Sequence, residues 1–332
     1  MYVKRLLDPS VIWYFSWRTV LFSGVLSSVV YGLFHFLEFR FLAIPFLPIA
    51  TIGTAVAFYV GFKNNSAYDR LWEARKIWGE IVNISRAASS YLLAIVQERR
   101  NEDTREKTKT FIYRQIAYVH LLLLQLRKRS VWDDTHIYTK ISTECFSTKP
   151  FEEEAENQLR RLCPSEEATS LLSKKNIPKE MIYQQMCTLT ALKEANLIDA
   201  YEHSDLMRLC NDLYAQQGKA ERIKSFPFPR QYAYFSEVFV SLFIVLLPFG
   251  LIGEFAKLSE SATWLTIPFS ILISWIFDTM EKVGDTSENP FENSLNDVPM
   301  AAISRNIEID LRELLGESEL PEPLQATEGY LM

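Results

Sequence analysis

Two kinds of material alternate along the chain. Apolar runs lie at 11–36, 43–62, 232–253 and 262–278, and charged residues recur every few positions between the second and third. The run 43–62 (AIPFLPIATIGTAVAFYVGF) carries no charge and is long enough to cross a bilayer core of roughly 30 Å as a helix. The first run contains Arg18 and the third Glu237, and charges at such depth face protein or water rather than lipid. The fourth ends at Asp278 and fits a tilted span. The pattern predicts four transmembrane helices in two hairpins that bracket a large polar insert.

Within the insert the apolar positions Leu71, Ile77, Trp78, Ile81 and Ile84 recur at helical spacing, and no alternating strand pattern appears. Helices are expected at 66–98, 103–128, 179–195 and 203–218, with a looser stretch at 131–178. The resulting all-α organisation is a first transmembrane hairpin at 1–62, a helical cytosolic domain at 63–231, a second hairpin at 232–278 and a C-terminal segment at 279–332. Lys4, Arg5, Lys63, Arg70, Arg75, Lys76, Arg222, Lys224 and Arg230 crowd one side of the spans, while the opposite loops at 37–42 and 254–261 are short. The positive-inside rule therefore puts both termini and the insert in the cytoplasm of a multi-pass cell (inner, plasma) membrane protein. A cleaved signal is not expected, because the apolar stretch after residue 10 is too long and no small-residue cleavage site follows it.

Composition conceals the membrane segments. The 332 residues carry 35 Lys+Arg against 41 Asp+Glu, a net charge of −6, and mean hydropathy is −0.02. Basic residues are interspersed with acids, so no nucleic acid partner is expected. Cys145, Cys163, Cys187 and Cys210 show no paired spacing and are expected to be reduced thiols; His136 and His203 have no ligand-like partners nearby in sequence. Phosphate-binding, dinucleotide, nucleophile-elbow and metalloprotease motifs are all missing, so the reading is non-enzymatic, with no metal and no cofactor.

The second run carries the sharpest signal. Thr54, Phe58 and Phe62 are four residues apart and form one slowly drifting helix stripe. Gly53, Ala55, Ala57 and Gly61 lie between them, small residues that let membrane helices approach closely. Such a helix suits packing beside its own copies with the stripe aimed at a shared axis; an ordinary buried bundle helix is the alternative. Asp69, Arg70, Glu73 and Arg75 read as an ion-pair network that fixes neighbouring subunits at the membrane exit, not a catalytic dyad. Asp278, Glu281, Asp285, Glu288 and Glu292 read as a solvated face, and the acidic tail from Gly316 as loosely draped chain. Arg18 reads as pairing with Glu237 or another acid.

Gly61, Phe62, Lys63, Asn64 and Asn65, then Ala67, Tyr68, Asp69, Arg70, Glu73, Ala74, Arg75, Trp78 and Gly79, resemble the signature of the bestrophins in their prokaryotic branch. Glu288, Asn289, Pro290, Phe291 and then Asn296, Asp297, Val298, Pro299 resemble two further segments of that family, trailed by Ile307, Glu308 and Leu311. The resemblance covers about 1–315 and implies a homopentameric ion channel in membrane lipid, with one pore on the five-fold axis. It implies a hydrophobic neck at Thr54, Phe58 and Phe62, the outermost ring being threonine where the family commonly has a larger apolar residue. It also implies a cytosolic aperture near 198–201, at Tyr201 or, next, Ile198. Monovalent anions such as chloride are the implied ions; monovalent cations (sodium-like) are the alternative, and a membrane-anchored scaffold with a cytosolic interaction domain a remoter one. The spread-out acids after the last span do not match the calcium clasp of eukaryotic members.

Overall fold

The computed structural model describes residues 1–332 apart from 5, 7, 8, 98–101, 129–150, 294, 295, 328 and 332, so Arg5, His136 and Cys145 lie outside the described residues. The helices are α1 (Pro9–Phe36), α2 (Phe46–Gln97), α3 (Glu102–Leu126), α4 (Phe151–Leu162), α5 (Ser165–Leu172), α6 (Ile177–Glu194), α7 (Ala200–Ser225), α8 (Arg230–Leu258), α9 (Thr266–Ser287) and α10 (Met300–Leu314), with short 3₁₀ turns at Arg40–Leu42 and Glu260–Leu265. Among the described residues the β-structure is limited to isolated bridges near the chain ends. Among the described residues, four segments are long and apolar enough to cross a membrane: Ile12–Phe36, Arg40–Val96, Arg230–Leu258 and Glu260–Ser287. The second and third predicted elements proved to be one uninterrupted helix of 52 residues, about 78 Å long at 1.5 Å per residue.

The chain divides into two compact units, the first comprising 4–70 and 227–289. In it α1 packs along α9, and α8 packs on both. The α1–α9 seam is built from small hydroxyl residues, which bring helix backbones close. Ser23 Oγ donates to Ser274 Oγ at 3.0 Å, and Trp275 Nε1 donates to Ser16 Oγ at 2.8 Å. The membrane half of α2 meets α8 through Ile49, Val56 and Val60 against Val240, Phe243, Ile244, Leu247 and Leu251. Two glycines set this approach. A Cβ on Gly53 would lie 2.7 Å from the Phe243 ring, and one on Gly250 would lie 2.6 Å from Ile49. Gly53 is thus used within one chain and not between copies, whereas Gly61 faces open space. Arg18 is exposed, its guanidinium 5.5 Å from the Trp17 ring centroid, and Glu237 is exposed on α8.

The second unit comprises 1–3, 71–226 and 290–332. Its centre is α3, buried on every side over 115–123, as a helix enclosed by neighbours must be. Trp78, Ile81 and Leu92 of α2, Phe111, Ile116 and Leu122 of α3, Leu189 of α6, Leu213 of α7 and Ile307 of α10 share this core. Glu308 is wholly buried beside it and accepts hydrogen bonds from His120 at 2.8 Å and Arg161 at 2.6 Å, with Arg305 and Arg312 within 4 Å. Burial alone would raise this carboxyl, but the bonds from His120 and Arg161 outweigh it and hold the group at about 2. Burial pushes the thiols of Cys163 and Cys210 up to about 12; Cys187 is exposed. The tail is more firmly held than its composition predicts. Glu317 accepts from Tyr113 at 2.6 Å and Arg312 at 2.7 Å, and Leu331 N donates to Met1 O at 2.9 Å.

Candidate functional site

On α2, Thr54, Phe58 and Phe62 are all exposed, the two rings by 68% and 67%. Each step of four residues turns the helix by about 40° beyond a full revolution, so the three span one face. The opposite face carries Gly53, Val56, Val60, Lys63 and Ala67, all buried. Over 53–67 the helix therefore turns Phe58 and Phe62 away from the packed core of its own chain. Thr54 Oγ1 donates to the Ala50 carbonyl at 2.9 Å, so its hydroxyl proton is used within the helix.

Immediately after this stripe comes a buried charge. Lys63 is 1% exposed. Its ammonium is bonded to Glu281 and, at 2.6 Å, to Asp285, one turn apart on α9. Ser236 Oγ of α8 donates to the second Glu281 oxygen at 2.5 Å. Asn64 Nδ2 donates to the Met280 carbonyl at 2.9 Å. This corrects the solvated-face reading of the acids after the last span. The helix continues to Ser287, so Glu281 and Glu288 are buried; Asp278 pairs with Lys282 at 2.5 Å and Glu292 with Lys224 at 2.5 Å. No local pattern announces the Lys63 pairing, because its partners lie more than 200 residues away.

The candidate aperture sits in the second unit. Asp199 caps α7, accepting from Tyr201 N at 2.7 Å and Glu202 N at 2.8 Å, while Glu202 accepts from Asp199 N at 2.7 Å. This reciprocal capping box satisfies otherwise orphaned donors and fixes the first turn. Tyr201 on that turn is 83% exposed. Ile198, just before the cap, is 2% exposed and belongs to the core. Of the two aperture candidates, Tyr201 is the exposed one and Ile198 is packed inside its own unit. The Asp199-x-x-Glu202 spacing was the sequence signal for the start of α7, which lies three residues before the expected 203.

The remaining motif residues are mostly structural. Arg70 Nε donates to the Glu288 carbonyl at 2.8 Å, and Glu73 pairs with Arg222 at 2.6 Å, while Asp69 and Arg75 are exposed. Within this chain Arg70 and Glu73 are thus separate anchors. Tyr68 is half exposed, whereas Trp78 and Phe291 are buried in one core. The two C-terminal segments meet where Val298 N donates to the Pro290 carbonyl at 3.3 Å. Asp297 is buried, Asn296 is partly buried, and Pro299 precedes α10 as its N-cap.

Comparison with known proteins agrees with this architecture. The family model described as Bacterial/Fungal Bestrophin protein matches residues 6–313. The voltage-dependent anion channel-forming protein YneE of Escherichia coli (strain K12) is 30% identical over 285 residues, 85% of this chain and 81% of the relative. A voltage-dependent anion channel-forming protein of Mesorhizobium japonicum is 26% identical over 311 residues, 92% of this chain and 87% of the relative. The crystal structure of a bacterial bestrophin homolog from Klebsiella pneumoniae shares the fold, with a TM-score of 0.76 at 23% identity over 91% of this chain and 98% of that one. With four membrane-length helices among its described residues and a family match over nearly its whole length, the chain is a multi-pass membrane protein that belongs to the bacterial and fungal bestrophins.

Proposed function

We propose that this chain assembles as a homopentameric channel for monovalent anions such as chloride, with α2 innermost. The observation that carries the reading is the exposed Thr54–Phe58–Phe62 stripe on a helix whose other face is buried. Two phenylalanine rings per subunit make a neck that is costly for a hydrated ion to enter, and such a constriction can gate by dewetting. Ring edges turned to the axis carry partial positive charge and favour an anion. The relatives' names as anion channel-forming proteins support the same sign. Tyr201 is the candidate for a second narrow ring, where a phenolic hydroxyl can replace part of an ion's hydration shell. The organisation proposed is a first hairpin at 1–62, a cytosolic domain at 63–231, a second hairpin at 232–278 and a cytosolic segment at 279–332, in the inner (plasma) membrane with both termini cytoplasmic.

Planar-bilayer recording of the purified protein under a chloride salt gradient tests conduction and ion sign together. A reversal potential near the chloride equilibrium value is expected, and one near the cation value would replace the anion reading by a cation channel. Silence of an assembled pentamer would leave the scaffold reading. The mass of the detergent-solubilised complex tests the pentamer, which a stable monomer or dimer would contradict.

A further inference from the structure

We propose that Lys63 is the positioning residue of the neck: clasped by Glu281 and Asp285, it sets the rotation of α2 and hence the direction of the Phe58 and Phe62 rings. The inference rests on the channel reading above for its functional consequence. Lys63 follows Phe62 directly, and the two residues differ from complete burial to about two-thirds exposure. Its ammonium is held by carboxylates one turn apart on α9, and one of these is also bound by Ser236 of α8. The Lys63–Glu281–Ser236 chain of contacts therefore links α2, α9 and α8 at the level of the last neck ring.

A second contact works alongside it. Asn64 donates to the Met280 carbonyl, and its amide oxygen lies where a Cβ on Gly284 would come within 2.2 Å. Two consecutive residues of α2 are thus docked against little more than one turn of α9. Side chains reach about 5–6 Å from a helix axis, so a rotation of about 20° would carry a phenylalanine ring by about 2 Å. That is the scale on which a narrow apolar neck wets or dries. The clasp is not an attractor for anions. One ammonium with two carboxylates has formal charge −1, and the ammonium is shielded from water.

The test uses the full-length assembled protein. Lys63→Met/Glu281→Gln deletes the central bond but preserves the cluster's formal charge of −1, Lys63→Arg retains the cation, and Gly284→Ala disturbs the Asn64 contact without touching charge. Each is combined with Phe62→Cys, and the rate of modification by a water-soluble thiol reagent is read beside that of the exposed native Cys187. The double variant and Gly284→Ala are expected to change the rate at position 62 at least threefold, leaving Cys187 unaffected and Lys63→Arg close to wild type. In single-channel records without the added cysteine, both variants should alter conductance or open probability severalfold with an unchanged reversal potential. Wild-type rates and conductance in an assembled double variant would overturn the proposal, making the clasp a structural ion pair only. If that variant fails to assemble, Gly284→Ala decides by the same criteria. A protein that passes no ion but still shows the thiol effect would sink the channel reading and leave the positioning role intact.

Discussion

Phe62 and Lys63 are neighbours in sequence and opposites in environment: the ring is about two-thirds exposed, while the ammonium is buried against Glu281 and Asp285. Adjacent helical residues point about 100° apart, so one peptide step separates the exposed face from the face bound into the chain. Stripping a lysine of water is costly unless it is paired and hydrogen-bonded. A rotation of α2 that buried Phe62 would expose or unpair Lys63, which makes the outward stripe the stable arrangement.

At the other candidate ring, Tyr201 and Ile198 should respond differently to truncation. Tyr201→Ala removes an exposed hydroxyl and is expected to change relative permeability among anions of different dehydration cost, with little effect on the choice between anions and cations. Ile198→Ala leaves a cavity in the core and is expected to lower stability by about 2–4 kcal/mol. Bi-ionic reversal potentials and thermal unfolding in detergent separate the two effects; a permeability change confined to Ile198→Ala would reverse the assignment.

Gly53→Ala places a methyl group 2.7 Å from the Phe243 ring, whose centroid is 4.5 Å from that of Phe277 and cannot simply swing away. Overpacking of this kind costs about 1–3 kcal/mol, against about 1 kcal/mol gained in helix propensity. A lower melting temperature in detergent is expected, and an unchanged or higher one would mean that α2 and α8 have room to separate.

Glu308 gives the second unit a pH dependence of defined sign. Its carboxyl is held at about 2 in the folded chain against an ordinary value near 4.5. The contribution, on the order of 3 kcal/mol, is present in full above about pH 4.5 and is lost as pH falls through about 2. Glu308→Gln should melt below wild type at pH 7, with the gap closing as the pH is lowered from 5 toward 2. A gap that stays constant over that interval would show that the buried carboxylate is not the source.

The membrane spans and the Thr54–Phe58–Phe62 stripe were legible because they are local: a charge-free run and a four-residue spacing are written in adjacent residues. The clasp was not, because Lys63 and its acids are separated by 218 and 222 positions and helical periodicity alone does not say which face of α9 is covered. Those acids looked solvated for the same reason. The start of α7 was legible in principle from the Asp199-x-x-Glu202 box, but the apolar pattern around it is weak and drew the helix start too late. Gly53 was read as a contact between copies because sequence does not reveal that Phe243 already fills the space beside it.

The most direct measurement of the neck is the single-channel conductance of the assembled Phe58→Ala/Phe62→Ala variant against wild type. Removing both apolar rings widens and wets the path, so conductance should rise severalfold while the mass of the complex stays the same. A double variant of correct mass with wild-type conductance would contradict the assignment of this stripe as the limiting constriction.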